Sequence, residues 1–210
     1  MNKVAPDSAE TQRLLEEARS GDPQAFNRLF GRHRSSLREV IEIRLDPRLR
    51  ARVDPSDVVQ ETQMEAFRRL ADYLERRPMP FRLWLRKTAQ ERLHMLHRQH
   101  VKAARRATGR EVPLPDRSSL VLAERLLASA SASAEHLGRE ELARRLRQAL
   151  DQLGEMDREV LLMRNFENLS YQEISHLLDI DAPAARKRHG RALIRLHKIL
   201  SEGGLTGSNL

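Results

Sequence analysis

Over the first hundred positions apolar residues recur every three or four, and alternating β-branched runs of strand length are missing, so the pattern predicts an all-α protein. Asp22 and Pro23 suit a helix cap and first residue, and Phe26, Leu29, Phe30, His33, Leu37, Val40 and Ile41 then form one stripe, with His33 read as core. Asp54 and Pro55 repeat the start signal ahead of Val58, Val59, Thr62, Ala66, Leu70 and Tyr73 or Leu74. A third long helix is predicted from about Phe81, and further helices over 139–153 and 158–166.

The end of the chain carries the most specific pattern. Ser170-Tyr-Gln-Glu173 is a capping box, in which the Ser and Glu side chains satisfy free backbone donors of a first helical turn. Ile174, Leu177 and Leu178 make that helix's apolar stripe, Ile180 fills the turn, and Asp181 and Pro183 start a second helix. Asp179 stands where glycine is usual in such a turn, a substitution that is tolerable because Asp visits left-handed conformations more readily than most residues. This is the layout of a helix-turn-helix. On a 100° wheel Ala185, His189, Ala192, Leu196 and Leu200 share one side of the second helix, whereas Lys187, Gly190, Arg191, Ile194 and Lys198 share the other. Arg186, Lys187 and Arg191 then stand where a helix in the major groove presents side chains to base edges and phosphates, with Arg188 and Arg195 placed on phosphate.

Charge agrees with a polyanionic partner: the formal net charge is +8 and 32% of residues are charged. A second basic surface lies on the long helix, where positions 82–106 hold eight Lys or Arg against the single acid Glu91. Trp84 and Phe81 suit either an aromatic platform for an unstacked base or the core. Cysteine is absent, which excludes disulfides and thiolate metal sites and suits a reducing compartment. No signal-peptide core or membrane-length apolar stretch occurs, so the expected location is cytoplasmic with no membrane partner. The expected domains are a helical block over 1–106, a linker over 107–137 with a Ser/Ala run, a helix-turn-helix block over 138–203, and a tail over 204–210. Within the linker the apolar piece Leu120 to Leu127 could clasp the two blocks and mask their basic faces.

Four ordered motifs give the chain a family resemblance. Asp54-Pro-Ser-Asp-Val-Val-Gln-Glu-Thr62, Phe81-Arg-Leu-Trp-Leu85, Asp157-Arg-Glu-Val-Leu-Leu-Met-Arg164 and Leu169-Ser-Tyr-Gln-Glu-Ile174 resemble regions 2 and 4 of bacterial sigma-70 RNA polymerase sigma factors, of the extracytoplasmic-function (ECF) group. The sequence Ala184-Ala-Arg-Lys-Arg188 with Arg191-Ala-Leu193 is similar to a planctomycete variety of that group. The resemblance implies that the N-terminal block docks on core polymerase and opens the downstream promoter element, while the C-terminal block reads the upstream element. By position it places Asp54, Asp57, Val58, Gln60 and Glu61 against polymerase. It places Arg76 and Arg77 of the loop ending at Pro80, with Arg86, Lys87, Gln90, Glu91, His94 and Arg98, at the downstream element. The implied partners are core RNA polymerase and promoter DNA, with an anti-sigma factor as a candidate third. Gly190 departs from the bulkier residue usual in the family, leaving the recognised sequence open.

Two other classes compete. A metal enzyme could be imagined from His94, His97 and His100, but residues at i, i+3 and i+6 sweep around a helix and meet one small ion poorly. Phosphate loops, nucleophile elbows and paired catalytic carboxylates are absent, so neither catalysis nor a cofactor is expected. A dimeric helix-turn-helix regulator that binds duplex DNA without polymerase is the alternative that the C-terminal half alone leaves standing.

Overall fold

The computed structural model describes residues 6–45, 49, 52–108, 144–146 and 148–202, with the side chains of 52–108 described as far as Gln99. Every regular element among them is α-helical. The expected linker over 107–137, its Leu120 to Leu127 piece and the tail over 204–210 lie outside the described residues, apart from the last helical positions 107 and 108. The chain divides into two compact units, Met1–Val112 and Pro113–Leu210.

The first unit contains α1 (Ala9–Arg19), α2 (Ala25–Arg44), α3 (Pro55–Arg68), α4 (Leu70–Arg76) and α5 (Phe81–Thr108). The sequence reading made no provision for α1, which starts at a Ser8 cap accepting from Thr11 N–H and buries Leu14 and Leu15. Helix α2 begins two residues later than the Asp22-Pro23 signal suggests. Asp22 closes a preceding turn instead, accepting from Gln24 N–H at 2.8 Å. That backbone hydrogen bond is the main cause holding the Asp22 carboxyl below its ordinary pKa. Phe26, Leu29, Phe30, Leu37 and Ile41 of α2 are buried with Val58, Val59 and Ala66 of α3 and Phe81, Leu85 and Ala89 of α5 in one core. Each of these Val, Leu, Ile and Phe side chains contributes about 1.5–3 kcal/mol when removed from water. His33 is half-buried on this core, 5.4 Å from the Phe81 ring, with Nε2 3.3 Å from Thr11 Oγ1.

The second unit has helical residues 144–146 and 148–151, followed by α6 (Glu155–Asn165), α7 (Tyr171–Leu178) and α8 (Ala182–Glu202). Helix α7 carries both halves of the capping box, and Asp179 ends it in the left-handed region at φ 53°, ψ 47°. Asp181 accepts from Ala184 N–H at 2.5 Å and so caps α8, while Pro183 sits in its first turn. The buried side of α8 consists of Ala185, Ala192, Leu196 and Leu200.

A tripeptide at the start of α6 organises these helices. Asp157, Arg158 and Glu159 are all buried, an arrangement that needs partners for each charge. Arg158 donates to the backbone carbonyls of Leu150 and Leu153, closing the end of the preceding helical stretch. Asp157 accepts from two side chains of α8, Arg188 at 3.0 Å and Arg195 at 2.9 Å. One carboxylate thereby fixes the orientation of α8 about its own axis.

Candidate functional site

In the second unit the outward side of α8 presents Lys187, Arg191, Ile194 and Lys198, all exposed, with no acid before Glu202. Arg186 is exposed too, and its guanidinium carbon lies 5.3 Å from the centroid of the Tyr171 ring. Arg164 stands at 5.0 Å from the same centroid, so one aromatic residue of α7 steadies a cation from each neighbouring helix. Arg188 and Arg195 were expected on phosphate beside these residues. Both also pair with Asp157, at 3.0 and 2.9 Å, because a nearly buried carboxylate demands compensation and these two cations lie within reach. Among the upstream residues Arg186, Lys187, Arg191 and Arg195 are exposed and Arg188 is half-buried.

His189 lies between α7 and α6. Its Nδ1 is 3.1 Å from the Tyr171 hydroxyl and its Nε2 is 3.2 Å from Asn165 Oδ1. The neutral ring satisfies both by donating from Nε2 and accepting at Nδ1. Burial, reinforced by the charge of Arg164, pushes its pKa below the ordinary histidine value.

In the first unit the loop after α4 is pinned from three sides. Arg77 closes α4 with a left-handed backbone at φ 39° and pairs with Glu16 of α1 at 2.6 Å. The Tyr73 hydroxyl donates to Met79 O at 3.0 Å, and burial drives its deprotonation well above the ordinary tyrosine range. Asp7 accepts from Phe81 N–H with both carboxylate oxygens, at 3.0 and 2.9 Å, and so caps α5. Arg76 is exposed and pairs with Asp72 at 2.8 Å.

On α5 the residues expected at the downstream element separate. Lys87, His94 and Arg98 are exposed along one stripe, and half-buried Glu91 on the same stripe is held by Arg69 of α3's end at 2.6 Å. Arg86 is 4% exposed, which corrects its expected place on a DNA surface. Its position one turn from Gln90, to which it donates at 3.2 Å, puts both against the interior side of the helix. Phe81 is fully buried, and Trp84 packs on the core at 4.5 Å between ring centroids from Tyr73, which settles both aromatics as core residues.

On α3 Asp54 is the N-cap, accepting from Ser56 N–H at 2.7 Å, and this backbone hydrogen bond is the main cause lowering its pKa. Val58 is 0% exposed, so it serves the core and not an external partner. Its burial follows from the Val58, Thr62, Ala66 spacing of the inward stripe. Glu61 is engaged by Arg92 of α5 at 2.6 Å. The outward stripe of α3 holds Asp57, Gln60, Met64 and Phe67, and the last is 61% exposed. Met64 and Phe67 were missed by the sequence reading, although their i+4 and i+7 spacing from Gln60 was available to it. Among the described residues no three His, Asp or Glu side chains are grouped to hold a metal ion.

Residues 143–196 match the family model described as Sigma-70, region 4. The chain is 30% identical over 196 residues to the RNA polymerase sigma factor CnrH of Cupriavidus metallidurans, covering 89% of this chain and 92% of that protein. The chain is a sigma-70 family RNA polymerase sigma factor of the ECF group. A second relative, the RNA polymerase sigma-H factor of Pseudomonas aeruginosa, is 26% identical over 90% of this sigma factor and 93% of its own length. The solved structure of CnrH in complex with the cytosolic domain of CnrY shares the fold, with a TM-score of 0.53, 24% identity, and coverage of 92% of this sigma factor and 98% of that chain. Family membership decides against the polymerase-independent regulator.

Proposed function

We propose that this sigma factor divides promoter recognition between its two units, and that the outward residues identified above carry the division. Helix α8 enters the major groove of the upstream element with Arg186, Lys187 and Arg191 on bases and phosphates, while Arg188 and Arg195 position the helix through Asp157. The observation that carries this reading is the acid-free outward side of α8, held in one rotational setting by a single carboxylate. The first unit docks on core polymerase through the α3 stripe of Asp57, Gln60, Met64 and Phe67. Lys87, His94 and Arg98, with the pinned loop at Arg76 to Pro80, face the downstream element.

The chain performs no chemistry of its own in this reading and acts in the cytoplasm, where it switches on synthesis by the polymerase. Among the described residues no helix is long and apolar enough to cross a membrane. An anti-sigma partner belongs to the reading as well, supported by the solution of CnrH as a complex with the cytosolic domain of CnrY. The test is transcription by core polymerase on promoters selected from a random library, with and without the chain. Initiation should depend on it. Arg191→Ala should weaken holoenzyme binding to the upstream element, and Asp57→Ala should weaken binding to core polymerase without changing recognition. Equal effects of both variants on both readouts would refute the division.

A further inference from the structure

The outward side of α8 is not uniformly basic. Ile194 is 72% exposed, more than any other large apolar side chain among the described residues, yet it stands within the cationic stripe between Lys187, Arg191 and Lys198. One turn earlier on the same flank is Gly190, and a Cβ built there meets nothing within 4 Å. Glycine in a helix interior is unfavourable relative to alanine, and here no crowding within the unit excludes a side chain. Arg186, which borders Gly190 on the wheel, is drawn aside over the Tyr171 ring. The result is a notch floored by backbone at Gly190 and walled by the Ile194 side chain.

The position of the notch suits a groove. From Lys187 to Ile194 is seven residues, about 10 Å along the helix axis, which is less than the roughly 12 Å width of the major groove. A helix that seats Lys187 on DNA can therefore hold Ile194 within the same groove. Of the base edges displayed there, only thymine offers an apolar group, its 5-methyl. We infer that Gly190 and Ile194 form an apolar notch that receives the 5-methyl group of a thymine in the upstream element, making them specificity-determining residues. The inference rests on the reading of α8 as the upstream reader.

The experiment uses holoenzyme reconstituted from core polymerase and the full chain, with duplexes it has selected from a random library. Each thymine of the upstream element is replaced singly by deoxyuridine, which removes only the methyl group. One replacement should weaken binding about fourfold, the worth of roughly one buried methylene. Ile194→Ala should make binding indifferent to that replacement. Gly190→Ala should raise the melting midpoint of the free protein by a few degrees while weakening binding to the same duplex. Binding that no replacement weakens, or that Ile194→Ala leaves equally sensitive, overturns the notch. Arg191→Ala distinguishes the two levels: loss of upstream binding there with an inert notch refutes this inference alone, and no loss refutes the reading beneath it.

Discussion

Asp157 shows how a single side chain can set the charge that a surface presents. Its carboxylate holds Arg188 and Arg195 from opposite ends of nearly two turns of α8, and its own side chain is only 10% exposed. Asp157→Ala should lower the stability of the second unit by about 1–2 kcal/mol in urea unfolding, less than a fully buried pair because both arginines reach solvent. It should also free two cations, so promoter binding by the variant should become more salt-sensitive even as it loses register. His189 adds a pH dependence. Its folded pKa lies below the unfolded value of 6.5, so the unfolded chain takes the proton first, and stability is full above 6.5 and falls as pH drops through it toward the lowered folded value. The urea midpoint should therefore be lower at pH 5 than at pH 8, and His189→Gln should reduce that difference, leaving the part due to His33, whose pKa burial lowers in the same way.

Among the elements, α3 places a structural cap and a proposed docking residue three positions apart. Asp54→Ala should lower stability by leaving Ser56 N–H without its side-chain acceptor, whereas Asp57→Ala should leave thermal unfolding nearly unchanged. The Asp54 contribution is present above the ordinary pKa of 3.8 and is lost as pH falls through the lowered folded value. Which parts of the fold could be read beforehand follows from range along the chain. The capping box, the left-handed Asp179 and the Asp181 cap involve residues at most three apart, and each was legible. Helix α1 was local too, with its Ser8 cap and Leu14-Leu15 pair, but the reading began at the louder Asp22-Pro23 signal. The partners of Asp157 lie 31 and 38 residues away and that of Asp7 lies 74 away. No periodicity reports such pairs, because they form only after helices pack. Arg86 and Val58 were misplaced for the same reason: a family position names a helix, and only packing decides which side of it faces the core.

Over the molecule as a whole, a net charge of +8 supplies affinity for any polyanion, and most of it carries no sequence information. Holoenzyme binding to promoter DNA should weaken steeply with salt, and if Lys187 contacts phosphate as proposed, Lys187→Ala should reduce the slope of log K against log salt by about one. In the proposed reading, selectivity comes from the outward groups of α8, from the Gly190 and Ile194 notch, and from the pinned loop of the first unit. That loop brings in the beginning of the chain. Because the Asp7 carboxylate holds the first amide of α5, trimming or fusing a bulky group just ahead of α1 acts by leverage on Met79 and Pro80, some seventy positions downstream. A protease cut at Asp7, or a tag that strains it, should leave upstream binding intact while promoter opening slows.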